Sequence, residues 1–354
     1  MKLSTELIEF TDDNVVRKEY YARAYDYFEA CRTGVAKRPL HEAMHESMMS
    51  EIETVSGHNR DYIERNFTSR TDVKEAFFEV VGALIDSIIP DVLIKDYGWI
   101  AEIRNIGWGD SLKFKVKPRD IFLPSKVGKS KRTFDIQQMK AGEKSLVPEW
   151  HGFTVGVDYY DVITGKVTLG EFMMAAILGM EMALRYEIFD TFATAMDNLI
   201  VLPDWGVTGW TQNSAIELAQ RVSAWNGGAP VSFIGTKLAL SQVLPASTNA
   251  IPYVINEQVS LGYRREFFGI PCVELEQVAD YMNFGGVKIP NDRIYVLSNL
   301  SDKIVKVVLE GNTIVNNATN TNDFDKANLL MTGTMRKSWA TGVITNQFAG
   351  TIEL

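Results

Sequence analysis

Apolar residues change their spacing several times along this chain, and each change marks a different kind of element. In "NVVRKEYYARAYDYFEACR" (14–32) and "TDVKEAFFEVVGALIDSII" (71–89) they recur at i, i+3 and i+4, one face of an α-helix. Thr71 or Asp72 is placed to cap the second helix, and Pro90 is expected to close it. "SLKFKVKPRDIFL" (111–123) alternates instead, with Leu112, Phe114 and Val116 on one face and Lys113, Lys115 and Lys117 on the other. "PSKVGKSKR" then has turn chemistry and "TFDIQQM" starts back as a strand. Residues 104–150 therefore read as a protruding two-stranded arm.

The helical period returns in "TLGEFMMAAILGMEMALRYEIFDTFATAMDNL", Thr168 to Leu199, without a proline. Thr168 and Glu171 form a capping box at its start. Its longest charge-free run, Phe172 to Met180, is nine residues, half of what a membrane span requires. Beyond it the units are short. "VSFIGTKLALSQVL" reads as a strand and then a helix from Thr236. "RREFFGIPCVEL" reads as a strand broken at Gly269, and "DRIYVLSNLSDKIVKVVLEG" as two strands around a turn. "GNTIVNNATNTNDFD" (311–325) reads as a polar loop, and "MRKSWATGVITNQFAGTIEL" (335–354) as one long strand. The class is α+β, with no internal repeat.

Composition sharpens this in two places. Net charge is −9 over 354 residues, against a general nucleic-acid binder. Residues 104–149 nevertheless hold eleven Lys and Arg against five Asp and Glu, a balance of +6, which leaves −15 for the rest. A basic arm beside an acidic body suits docking onto another copy, or a strand edge guarded by lysines. The two cysteines, Cys31 and Cys272, suit small buried side chains in a reducing compartment. The N-terminus has no apolar run of secretory type.

Three short motifs mimic catalytic sites. "HEAMH" (41–45) has the spacing with which His41 and His45 hold zinc on a helix while Glu42 serves as base, as in a zinc metallopeptidase. Glu51 and His58 are the available third ligands. The metzincin extension is missing, with Met48 and Glu51 at its positions, and Pro39 reads as an ordinary helix start with exposed histidines. "GDSL" (109–112) offers Ser111, but His151 is the sole downstream histidine and Pro148 stands where its Asp belongs. "GKS" (128–130) lacks the first P-loop glycine, Leu123 being there instead. No catalytic residue, cofactor or metal ligand is assigned.

The order of elements, with the phrases "FIGTKLALSQ", "FFGIPCVEL", "DRIYVLSNLSDKIVKVVLEG" and "WATGVITNQFAGTIEL", resembles the tailed-bacteriophage major capsid proteins of the HK97 fold over residues 75–354. The resemblance implies a helical N-terminal arm (1–75) and an extended hairpin loop (104–150). It implies a peripheral domain (76–103 and 151–204) with spine helix 168–199, an axial domain (205–310) and a returning C-terminal strand segment (311–354). It further implies a shell of hexamers and pentamers around double-stranded DNA, assembled in the host cytoplasm, with no enzyme activity and no membrane. Portal, scaffolding or decoration proteins would be partners, DNA contact would be weak and non-specific, and retention of Met1 implies assembly without N-terminal cleavage. An encapsulin-type compartment is the alternative within the same fold. The expected subunit contacts are the arm cations Lys113, Lys115, Lys117, Arg119, Lys129, Lys131 and Arg132. The apolar face Leu112, Phe114, Val116, Ile121 and Phe122 would contribute most of the affinity.

Overall fold

The computed structural model describes residues 15–67, 70–116, 142–158, 161, 166–243, 260–280, 285–299, 302–317 and 330–354. Four helices come first: α1 (Val15–Arg32), α2 (Arg38–Ser56), α3 (Arg60–Asn66) and α4 (Thr71–Tyr97). Pro39 opens α2, and Gly57 closes it in the left-handed conformation at φ 69°. Helix α4 begins differently from expectation. Its N-cap is Arg70, without a side-chain cap bond, while Asp72 accepts from the Val73 N–H.

Pro90 does not end α4, which continues through it to Tyr97. The ring has no N–H for the carbonyl one turn back. However, Ile85, Ile88, Ile89, Val92 and Leu93 on both flanks are buried in the main core, and that packing outweighs the local defect. The other long helix, α5 (Leu169–Asp197), follows the sequence closely. Thr168 is its N-cap, and both halves of the capping box with Glu171 are present. Its 29 residues give a rod of about 44 Å. Not all of its first half is covered: Ala175, Gly179 and Met182 form an exposed stripe.

Helices α4 and α5 pack on a four-stranded sheet ordered β1 (Ala101–Ile106), β12 (Val305–Asn317), β13 (Leu330–Val343), β4 (Glu149–Asp158). Strand β1 runs parallel to β12, and the other neighbours are antiparallel. The hairpin β2 (Lys113–Val116) and β3 (Gly142–Ser145) rises from this sheet. A second, six-stranded sheet has the order β5 (Gly206–Thr208), β14 (Gly350–Glu353), β11 (Arg293–Ser298), β6 (Val231–Gly235), β8 (Ile270–Glu274), β7 (Glu266–Phe267). A small antiparallel pair, β9 (Ala279–Asp280) and β10 (Gly286–Val287), is separate, with β9 against α5. Along β11, Tyr295 and Leu297 join the main core with α5. Ile294 and Val296 face a separate core with α6 (Gln212–Trp225) and α7 (Lys237–Ser241).

Two further expectations are corrected. Residues 311–317 are strand, because β12 runs through them to Asn317 past a register shift between Glu310 and Ile314. The C-terminal segment is two strands in two sheets, separated at 344–349, where the Asn226 side chain donates to the Phe348 carbonyl and accepts from its N–H. The two strands read from "DRIYVLSNLSDKIVKVVLEG" are present as β11 and β12, and they enter different sheets. Among the described residues, no helix is long and apolar enough to cross a membrane.

Candidate assembly surface

The root of the hairpin arm is fastened to its own sheet by an apolar contact, and two ionic ties hold the strands and helix beneath it. Phe114 is buried against Val308 and Ile344, with Leu112, Val116 and Leu146 closing around it. Below the ring, the buried Lys306 ammonium donates to Glu102 at 2.6 Å and Asp302 at 2.7 Å. It lies 5.9 Å from the Phe114 ring centre, and the Arg104 guanidinium lies 5.6 Å from it. Burial alone would push the Glu102 carboxyl up, but the Lys306 and Arg104 hydrogen bonds outweigh it and hold the group below the ordinary range.

The second tie comes from α4. Asp86 accepts from the Thr313 N–H at 2.7 Å, from the Thr313 hydroxyl at 2.6 Å and from the buried Lys337 ammonium. Lys337 also donates to the Gly311 carbonyl at 2.7 Å. One carboxylate therefore supplies the partners that the irregular part of β12 cannot find in the ladder.

Where the arm leaves the sheet, residues 107–110 form a turn held by Glu310. Its carboxylate accepts from the Gly109 N–H at 3.0 Å and from the Ser338 hydroxyl at 2.7 Å. Trp108 lies flat on Gly311, which has φ +56°, and a Cβ there would stand 2.1 Å from the indole. The Trp108 ring stacks on Trp150, centres 5.2 Å apart and planes at 19°. These rings are 47% and 55% exposed, and the nearby Val147 is 79% exposed. A pair of tryptophans held rigidly in solvent is an unusual use of apolar surface, and tryptophan is among the side chains that dominate protein interfaces.

The predicted contact residues divide into two groups. Phe114, Leu112 and Val116 pack against the chain itself at the arm root. Lys113 and Lys115 are exposed, with Lys113 3.5 Å from Glu143 across the hairpin. Lys117, Arg119, Ile121, Phe122, Lys129, Lys131 and Arg132 lie outside the described residues, as do the strand read at 133–139 and the "GKS" motif. Alternation along 111–123 led away from Trp108 and Trp150. The signal for them was "GWG" at 107–109, an aromatic between two glycines.

The "HEAMH" residues occupy α2, and His41 and His45 are half-buried rather than exposed. His41 Nδ1 bonds the Tyr27 hydroxyl at 2.6 Å, and Glu42 pairs with Arg38 at 3.0 Å. Burial pushes the His45 imidazole below its ordinary range. His58 bonds Asp72 at 3.2 Å. Among the described residues no three His, Cys, Asp or Glu side chains gather as a metal-holding group. Ser111 is exposed, and His151 is occupied elsewhere with Glu149, Glu187 and Trp339.

Comparison with solved structures finds slight similarity to phage proteins and to a virus-like particle. The chain is 8% identical to a protein of "Asymmetric unit of bacteriophage PhiM1 mature capsid", covering 72% of this chain and 86% of that one at a TM-score of 0.44. Identity to the "Mycobacterium phage Che8" structure is 12%, with 69% and 84% covered and a TM-score of 0.42. For "Crystal structure of virus-like particle from Pyrococcus furiosus" the values are 10%, 75% and 96%, and 0.40. No curated protein matches the chain. A family model does match, over residues 33–353, which takes in every helix but α1 and every strand. By that match the chain belongs to the family described as "SPbeta prophage-derived putative capsid protein YonB".

Proposed function

We propose that this chain is a major capsid protein of HK97 type, which assembles with copies of itself into hexamers and pentamers and so into an icosahedral shell around double-stranded DNA. The family match over residues 33–353 carries this reading. It implies a virion protein without catalytic activity, assembled in the host cytoplasm, with portal and scaffolding or decoration proteins as further partners. In this reading 104–150 is the extended loop, 76–103 and 151–204 the peripheral domain, and 205–310 the axial domain.

Two features support the arm as the place where copies meet. Its charge of +6 opposes −15 on the remainder, which favours approach to a neighbouring body over its own flank. The exposed Trp108, Val147 and Trp150 at its root, and the exposed stripe Ala175, Gly179 and Met182 on α5, are apolar surface suited to burial between subunits. Exposed ion pairs contribute only about 0–1 kcal/mol each. Apolar area at about 25 cal/mol per Å² supplies the larger share. Since the phenylalanine of the arm root is already buried in its own subunit, the tryptophans take the role first expected of Phe114. The acidic body keeps DNA contact weak and salt-dependent.

Light scattering followed by negative-stain electron microscopy of the purified protein tests this. Closed shells, or rings with five- and sixfold symmetry, are expected. A monodisperse monomer or dimer at every salt and protein concentration would overturn the reading.

A further inference from the structure

His151 stands on β4, two residues beyond Glu149, where the chain returning from the arm re-enters the sheet. Its Nδ1 is 3.0 Å from the Glu149 carbonyl oxygen. A carbonyl can only accept, so Nδ1 carries the hydrogen, and in the neutral ring Nε2 is a lone pair. That lone pair lies 3.8 Å from Glu187 Oε2 on α5. Glu187 is held in place by the Trp339 indole N–H and by the Thr341 hydroxyl at 3.3 Å. A lone pair facing a carboxylate gains nothing, whereas a proton on Nε2 turns the contact into an ion pair. The imidazole is stacked on Trp339, centres 3.9 Å apart and planes at 8°. The protonated ring would therefore also gain a cation–π contact.

We propose that His151 is a proton-operated latch: protonation at Nε2 ties the arm root, through β4, to the long helix α5 at Glu187. The proposal rests on the arm reading above, because it regulates the stiffness of that arm's attachment. Among the described residues, the charges around the ring leave Glu187 as its carboxylate partner. On the sheet, Lys337 is its cross-strand neighbour, but the ammonium is committed to Asp86 of α4 and to the Gly311 carbonyl. Glu149 meets it through the backbone carbonyl. The next acid along α5, Asp190, is paired with Lys288. His151 is about one-third exposed, so the proton can come from solvent.

A double-mutant cycle on the full chain tests the latch, using wild type, His151→Gln, Glu187→Gln and the double variant. The amide introduced by Glu187→Gln keeps an acceptor for the Trp339 indole. Thermal unfolding would be followed at about pH 5.5 and about pH 8, on either side of the ordinary imidazole range. A coupling of about fivefold in the unfolding constant is expected at the acid end and none at the alkaline end. If either variant fails to fold, the milder Glu187→Asp or His151→Asn takes its place in the cycle. Coupling that is equal at the two pH values would overturn the latch. Shells are scored separately by microscopy: their absence overturns the arm reading, while shells without pH-dependent coupling overturn the latch alone.

Discussion

Glu181 lies inside the main core on α5, only 3% exposed, and its nearest cation is Arg32 Nη2 at 3.9 Å. Arg32 is closer to Asp96, at 2.6 Å. Burial pushes the Glu181 carboxyl above the ordinary glutamate range, and the guanidinium groups of Arg32 and Arg185 only partly offset it. The folded state thus holds this proton more tightly than the unfolded chain does. Its contribution to stability is complete below the unfolded value of about 4.3 and is lost as pH rises through the higher folded value. Glu181→Gln should remove that decline. The melting temperature of the natural protein is expected to fall by a few degrees relative to the variant between about pH 4 and about pH 8. Parallel curves would show that Arg32 satisfies the carboxylate fully. The same three-helix junction explains why Glu181, one of the charges that argued against a membrane span, is tolerated: α1 and α4 bring cations and anions to it.

At the scale of elements, the regular pieces were readable because each is specified locally. Thr168 and Glu171 announced α5, Thr236 announced α7 as its side-chain cap, and the Phe268–Gly269 turn broke the strand where glycine stood. The misread pieces are those whose fate depends on distant partners. Pro90 belongs in a helix because the apolar side chains around it are buried. Residues 311–317 belong in a strand because Asp86, more than 200 positions earlier, receives the Thr313 N–H. Asp86→Ala should therefore cost about 3 kcal/mol, since it strands the buried Lys337 ammonium and frees the irregular part of β12. Asp86→Asn, which keeps acceptors but not the charge, should cost less. Denaturant midpoints measure both, and equal small losses would show that Lys337 finds another partner.

For the whole molecule the decisive property is where charge and apolar surface are left unpaired. Replacing Lys113, Lys115 and Lys117 with Glu is expected to prevent shells while shifting subunit stability by no more than about 1 kcal/mol. Normal shells from this variant would remove the arm from the assembly reaction. Sequence by itself determined the α+β class, the long capped helix and the charge of the hairpin, because periodicity, capping and charge are properties of neighbouring residues. It also carried the resemblance that the family match confirms. Tertiary structure alone decided that Phe114 faces inward and that Trp108 rests on Gly311 beside Trp150. It also decided that His41 bonds Tyr27 and that β11 and β12 enter different sheets. Each of these depends on contacts between residues far apart in the chain, whose energies exceed the local preferences that a sequence displays.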